Sequence, residues 1–267
     1  MHALVSILLA FILALAAAPP ASYIEAQSKY RDDDSDMAER EEIRQSYELA
    51  PGARVEVSTI SGSVDVETTN GQMAEVHIIR MGRTRKDFDC YKINIQHSPN
   101  SLILRHEQGR DEPCGTIQAR QRVTLKLPRN VELKLNAIAG PVTVGEIDGT
   151  VRLTGISGMV EVAQALGYSD ISGISGVVSM NITRLSERGI RISGISGRVV
   201  IRAATSLNAN LEVSGLNGNI NIDSAASNVS LTRTGSSNFS GRIGSGGAPI
   251  SVSGISGSVV FQKSSAR

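Results

Sequence analysis

At 267 residues with 40% apolar side chains, the chain is long enough for one elongated domain or two small ones and too hydrophobic to be disordered. Aromatic residues make up only 3% and tryptophan is absent, which excludes a thick aromatic core and suits a thin one filled by short aliphatic side chains. A net charge of +1 excludes a global attraction to polyanions.

Ala3 to Ala18 form an apolar run that ends in small residues. It is too short for a comfortable transmembrane span and stands where a secretory signal peptide belongs. Pro19 disfavours cleavage directly after Ala18 and leaves Ala21 or Ala26, so residues 1–26 are read as the signal peptide, with retention as a membrane anchor as the alternative. No cysteine follows the run, which excludes a lipid anchor there. The expected location is extracytoplasmic, periplasmic or secreted.

Residues 27–45 are charged and polar, with Arg31, Asp32, Asp33, Asp34 and Asp36 followed by Glu39, Glu41 and Glu42. The acidic run lacks the glycine of an EF-hand loop, and Ile43 stands where the bidentate acid is needed, so the segment reads as a solvated linker rather than a calcium site.

Residues 46–130 hold the largest share of the charge and every histidine except His2. Alternating pairs Val55/Val57, Val64/Val66, Val76/Ile78, Ile93/Ile95 and Leu102/Leu104 predict strands, and the Ser98-Pro99-Asn100 turn joins the last two pairs into a hairpin. Cys90 and Cys114 flank that hairpin; an even cysteine count behind an export signal predicts a disulfide between them, worth roughly 3 kcal/mol in the chain-entropy picture. The absent CxxC spacing argues against a redox role. His97 and His106 would face each other across the hairpin but have no third ligand, so no metal or other cofactor is expected. The basic run Arg80, Arg83, Arg85 and Lys86 could touch anionic polymer or lipid, but Asp87 and Asp89 offset it and it reads as a solvated loop.

From residue 131 to 262 one phrase repeats: a Gly-Ile-Ser-Gly turn and then a strand with aliphatic residues at alternate positions. The turns are Gly155-Ile156-Ser157-Gly158, Gly173-Ile174-Ser175-Gly176, Gly194-Ile195-Ser196-Gly197 and Gly254-Ile255-Ser256-Gly257, with Gly215-Leu216-Asn217-Gly218 as a variant. Related forms end at Gly62 and Gly140. Pairs such as Val160/Val162, Val178/Met180, Val199/Ile201, Ile220/Ile222 and Val259/Phe261 follow them, and Ile190/Ile192, Leu211/Val213, Val229/Leu231 and Ile250/Val252 mark a second strand per repeat. A fixed repeat of about 20 residues is the signature of units that bury their apolar face only by stacking. The expected fold is all-β: a parallel β-solenoid (β-helix) of about two strands per coil, its turn isoleucines pointing inward, capped by the less regular residues 46–130. The tail 263–267 would then be all that blunts the edge of the last strand, Ser258 to Gln262.

The Thr59-Ile60-Ser61-Gly62 opening, the phrase from Arg122 to Val144 through Leu127-Pro128, and the serial Ser-Gly-x-Val-x-Val units that follow resemble the putative adhesin family, over roughly residues 46–262. The resemblance implies a right-handed β-solenoid in the bacterial envelope, a role in adhesion or surface interaction, and no catalytic residues to carry over. The cysteine pair is a departure from the family pattern.

Catalysis finds little support. Glu161, Asp170, Glu187, Glu212 and Asp223 are scattered rather than gathered at one station, and no histidine follows His106 to serve the repeat serines. Nucleic acid is disfavoured because no basic face with stacking aromatics is present. The reading is a non-catalytic exported module that binds an envelope protein or glycan at a face the sequence does not identify. The alternatives are a scaffold that self-associates through its solenoid ends and, less favoured, a polysaccharide-active enzyme. Membrane contact is expected only if the N-terminal segment is retained.

Overall fold

The computed structural model describes residues 37–108 and 119–264. The expected signal peptide, most of the expected linker, Cys114 and the end of the tail lie outside the described residues. The described chain is all-β, with one short helix.

Its N-terminal part comprises β1 (Glu39–Glu48), β2 (Ala53–Thr69), β3 (Met73–Gly82), α1 (Arg85–Cys90), β4 (Tyr91–Ser98), β5 (Ser101–Gln108) and β6 (Ala119–Pro128). The remainder comprises β7 (Val131–Ala139), β8 (Val142–Ile147), β9 (Val151–Ala165), β10 (Ser169–Ile182), β11 (Ile190–Ala203), β12 (Ala209–Ser214), β13 (Asn217–Ile222), β14 (Val229–Arg233), β15 (Phe239–Ile243) and β16 (Ala248–Lys263).

β2, β9, β10, β11 and β16 are long strands bent at their Gly-Ile-Ser-Gly or Thr-Ile-Ser-Gly phrase into two arms; β7/β8 and β12/β13 are the same shape interrupted at the bend. The bend has a local cause. Its first residue takes a left-handed φ of 61° to 65° in Gly155, Gly173, Gly194, Gly215 and Gly254, a conformation glycine adopts without steric cost. Its second residue turns inward: Ile156, Ile174, Ile195 and Ile255 are 1% exposed and Leu216 5%. Its fourth residue lies against the preceding strand, where a Cβ on Gly197 would sit 1.8 Å from the Gly176 carbonyl oxygen.

The bent strands stack in parallel and in register, so that one step carries Val151 to Ser169, Ser169 to Ile190 and Ile190 to Ile250. Like residues form continuous inward columns, as in Val160, Val178, Val199 and Val259, all fully buried. Fully burying one such side chain contributes about 1.5–3 kcal/mol.

Stacking order departs from chain order at both ends. β16 does not end the stack: it lies between β11 on one side and β12 and β13 on the other. The expected exposed edge at Ser258 to Gln262 is therefore an interior strand, because its Val259 and Phe261 continue columns that β13 extends. At the other end β2 is interior, flanked by β7 and β8 on one side and by the later strands β5 and β6 on the other.

Three further expectations are corrected. Residues 39–45, read as linker, belong to β1, which pairs antiparallel with β3 because Ile43 and Tyr47 pack on the core. Val229 and Leu231, read as part of a parallel coil, lie in β14, which pairs antiparallel with β15; β15 pairs antiparallel with β12, so the pair extends the first arm beyond the last coil. The basic run is not a loop throughout. Arg80 is a buried residue of β3, and Arg85 begins α1, whose start is fixed by the Asp87 carboxylate accepting from the Thr84 N–H at 2.8 Å and hydroxyl at 3.1 Å.

Candidate interaction faces

Outward residues of the bent strands stand between inward ones and inherit the same register. On the first arm, one outward column runs Glu56, Lys134, Arg152, Asp170, Arg191, Ser251 and Glu212. Beside it stand Thr154, Ser172, Ser193, Ser253 and Ser214, and past the bend the exposed Ser157, Ser175, Ser196, Ser256 and Asn217. Strand pairing sets the spacing along each column at roughly 4.8 Å. The first arm thus carries fixed charges of both signs next to a row of hydroxyls, all on a hydrogen-bonded sheet.

The charge column is anchored at Glu56, which is 4% exposed although it faces outward. Arg54 Nη2 lies 2.5 Å from its carboxylate, Arg105 Nη2 3.2 Å and Lys134 Nζ 3.4 Å. Burial pushes the Glu56 carboxyl up, but the Arg54 hydrogen bond and the charges of Lys134, Arg105 and Arg54 outweigh it and hold the group below its ordinary range. Sequence reading missed this cluster; its signal was the alternation of Arg54 and Glu56 within a strand of buried valines. At the other end of the same face Asn210, Glu212, Asn238, Ser240 and Ser251 border a groove of about 460 Å³.

On the second arm the outward column runs Thr143, Glu161, Ser179, Val200, Val260 and Asn221. Ser179 is nonetheless 8% exposed and Val200 9%, and the Arg202 guanidinium donates to the Ser179 hydroxyl.

The histidines do not face each other. His97 lies opposite Leu102 and His106 opposite Ile93, at different ends of the hairpin. The His97 ring stacks on Tyr47 at 4.6 Å, and its Nε2 contacts the Glu48 carbonyl at 3.0 Å. The His106 ring packs on Tyr91 with centroids 3.5 Å apart; burial and the nearby Arg80 charge push its pKa down. Arg80 Nη2 donates to the carbonyls of Phe88 and Tyr91 at 2.6 Å, and its other nitrogen pairs with Glu41. Among the described residues no group of three or more His, Cys, Asp or Glu could hold a metal ion. Cys90 ends α1, is 4% exposed and is not a free thiol; its expected partner Cys114 lies outside the described residues.

No family model and no curated protein matches the sequence. Among solved structures, the chain is similar to a putative cell adhesion protein from Clostridium sporogenes, at 13% identity and a TM-score of 0.41, over 85% of this chain and 100% of that one. It is also similar to putative adhesins from Bacteroides fragilis, at 10% identity and a TM-score of 0.34, over 83% of this chain and 97% of that one, and from Parabacteroides merdae, at 10% identity and a TM-score of 0.28, over 84% and 97%.

Proposed function

We propose that this chain is a non-catalytic, exported interaction module of the bacterial envelope, adhesin-like in role, whose stacked bent strands are the coils of a parallel β-solenoid. In this reading residues 1–26 direct export, the mature protein is periplasmic or secreted, and Cys90 and Cys114 form a disulfide beside the hairpin. Its ligand is a surface glycan or protein met by many shallow contacts. The observation that carries the reading is the first-arm face, where charges and hydroxyls recur in register on successive strands. The paired strands already fix the backbone beneath these side chains, so binding costs no backbone ordering and many weak contacts can sum to useful affinity.

The test is binding of the purified mature protein to polysaccharides and proteins extracted from the envelope, compared with an Arg152→Ser/Arg191→Ser variant, both residues being exposed and neither touching Glu56. Saturable binding that the variant loses while keeping its melting temperature is the expected result. Equal binding by both proteins would remove this face from the account, and release of shortened polysaccharide would overturn the non-catalytic reading.

A further inference from the structure

The stack is closed unevenly at the end where β13 lies. On the first arm β12 is covered by β15, and β15 by β14. On the second arm β13 pairs with β16 and, among the described residues, with no strand on its other edge. The Asp223 N–H donates to the Phe261 carbonyl at 2.9 Å, on the β16 side, whereas the Leu216 N–H donates to the Ser237 carbonyl at 3.1 Å on the other. Backbone groups alternate sides along a strand, so those of Gly218, Ile220 and Ile222 point to the open edge.

The core is incomplete at the same place. Ile220 stands beside Val259 and Ile222 beside Phe261; both partners are fully buried, yet both isoleucines are only half-buried. Across from them, Phe239 lies opposite the buried Val213, so it shares that residue's inward face, and it too is half-buried, as is Leu231. The hairpin of β14 and β15 therefore extends beyond β13 and, among the described residues, faces no second-arm strand. The space has the form of one missing strand.

We infer that this edge receives an extended, uncharged segment of a partner polypeptide, added parallel or antiparallel to β13, with aliphatic residues at alternate positions packing on Ile220, Ile222, Leu231 and Phe239. Three observations choose this occupant. First, β13 reads Asn-Gly-Asn-Ile-Asn-Ile, without the charge or proline that blunts an edge, whereas β1, at the other end of the second arm, carries four Glu and two Arg. Burying a charge against the neutral β13 edge would leave it unpaired, so the incoming strand is neutral too. Second, a two-fold copy offering its own β13 would bring its own overhanging hairpin into the space this hairpin occupies, each reaching two strands or roughly 10 Å beyond β13. Third, a strand of this length offers far less than the ~1,200 Å² that stable association of folded bodies buries, but strand addition draws its affinity from backbone hydrogen bonds. The inference is independent of the first-arm reading, since it uses the opposite arm and a different chemistry.

Hydrogen exchange on the full mature protein tests it, with the synthetic peptide Gly-Ser-Val-Val-Phe-Gln, which copies the β16 arm beside β13, as probe. In the free protein the amides of Gly218, Ile220 and Ile222 should exchange rapidly. Millimolar peptide should slow them at least about tenfold, and the same peptide N-methylated at alternate residues should not. An Ile222→Lys variant that keeps its melting temperature should lose the protection. Slow exchange of these amides in the free protein would overturn the inference, as would protection by neither peptide. So would protection that follows protein concentration without peptide, which would make a second copy the occupant.

Discussion

The Tyr91 hydroxyl donates to the Thr59 carbonyl at 3.1 Å while accepting from the Ser61 N–H at 3.2 Å, so one side chain spans the bend of β2. That bend is unusual among its kind. Thr59 holds a φ of 60° where later bends carry glycine, and Ala137 holds 54° at the equivalent place in β7. A left-handed β-branched residue costs roughly 1–2 kcal/mol, and the tyrosine holds the strained turn in place. Tyr91→Phe should lower stability by about 1 kcal/mol through the lost hydrogen bonds. Thr59→Gly should restore more stability in that variant than it adds to the natural protein, measured by urea unfolding.

Two glycines of one bend should respond differently to the same change. A Cβ on Gly194 meets nothing closer than 3.6 Å, so Gly194→Ala suffers only the left-handed φ, about 1 kcal/mol. A Cβ on Gly197 would overlap the Gly176 carbonyl, so Gly197→Ala must push neighbouring strands apart and should cost several times more. Comparable melting temperatures for the two variants would contradict the close stacking.

Ile195 lies directly opposite Ile174 and Ile255 in the inward column, whereas Arg198, in the same strand, is exposed. Ile195→Asp places an unpaired carboxylate among aliphatic neighbours and should unfold the adjacent strands, a loss of roughly 3 kcal/mol or more. Arg198→Asp should change stability by less than about 0.5 kcal/mol. Circular dichroism melts of the two variants separate these outcomes.

His106 gives the hairpin an acid sensitivity. Its folded pKa lies below the ordinary 6.5, so the unfolded chain binds its proton first and stability rises with pH through this window. The contribution is complete above about 6.5 and is lost as pH falls from there through the folded pKa. Glu56 is also depressed in the fold, but its contribution disappears only at carboxylate pH, below about 4.5. Unfolding curves taken from pH 7.5 to 5 should show a decline that His106→Phe removes and Glu56→Gln leaves in place.

The bends, the inward columns and the strand character of residues 131–203 were legible because Gly-Ile-Ser-Gly forces a turn and alternation assigns faces. The stacking order was not legible. Val199/Ile201, Val259/Phe261 and Ile220/Ile222 are interchangeable as neighbours, so the pattern shows that strands stack without showing which stacks on which. Charge misled the reading of β1: six charged residues suggested solvent, yet Ile43 and Tyr47 were enough to seat the strand, and Glu41 and Glu42 found Arg80 and His77. The helix α1 left a weak trace, Thr84 followed three residues later by Asp87, in a stretch whose basic residues drew attention instead.

Ending the chain at Gly247 tests the interleaving. That truncation removes β16 and with it the parallel neighbour of β12 and β13. Limited proteolysis should then cut throughout residues 204–247, although those residues are all present. A resistant 204–247 segment would show that β16 is dispensable to it.

The placement of β16 also governs the order in which the molecule can be finished. A chain that emerges N-terminus first, from a ribosome or through a translocation pore, releases residues 209–222 before the strand they must rest on exists. They have to wait, unpaired on that side, until Ala248–Lys263 arrive and fit between two surfaces already in place. Assembly from one end, coil upon coil, is therefore unavailable to this half of the protein. Its closing step joins parts distant in the chain, which makes for slow, all-or-none completion.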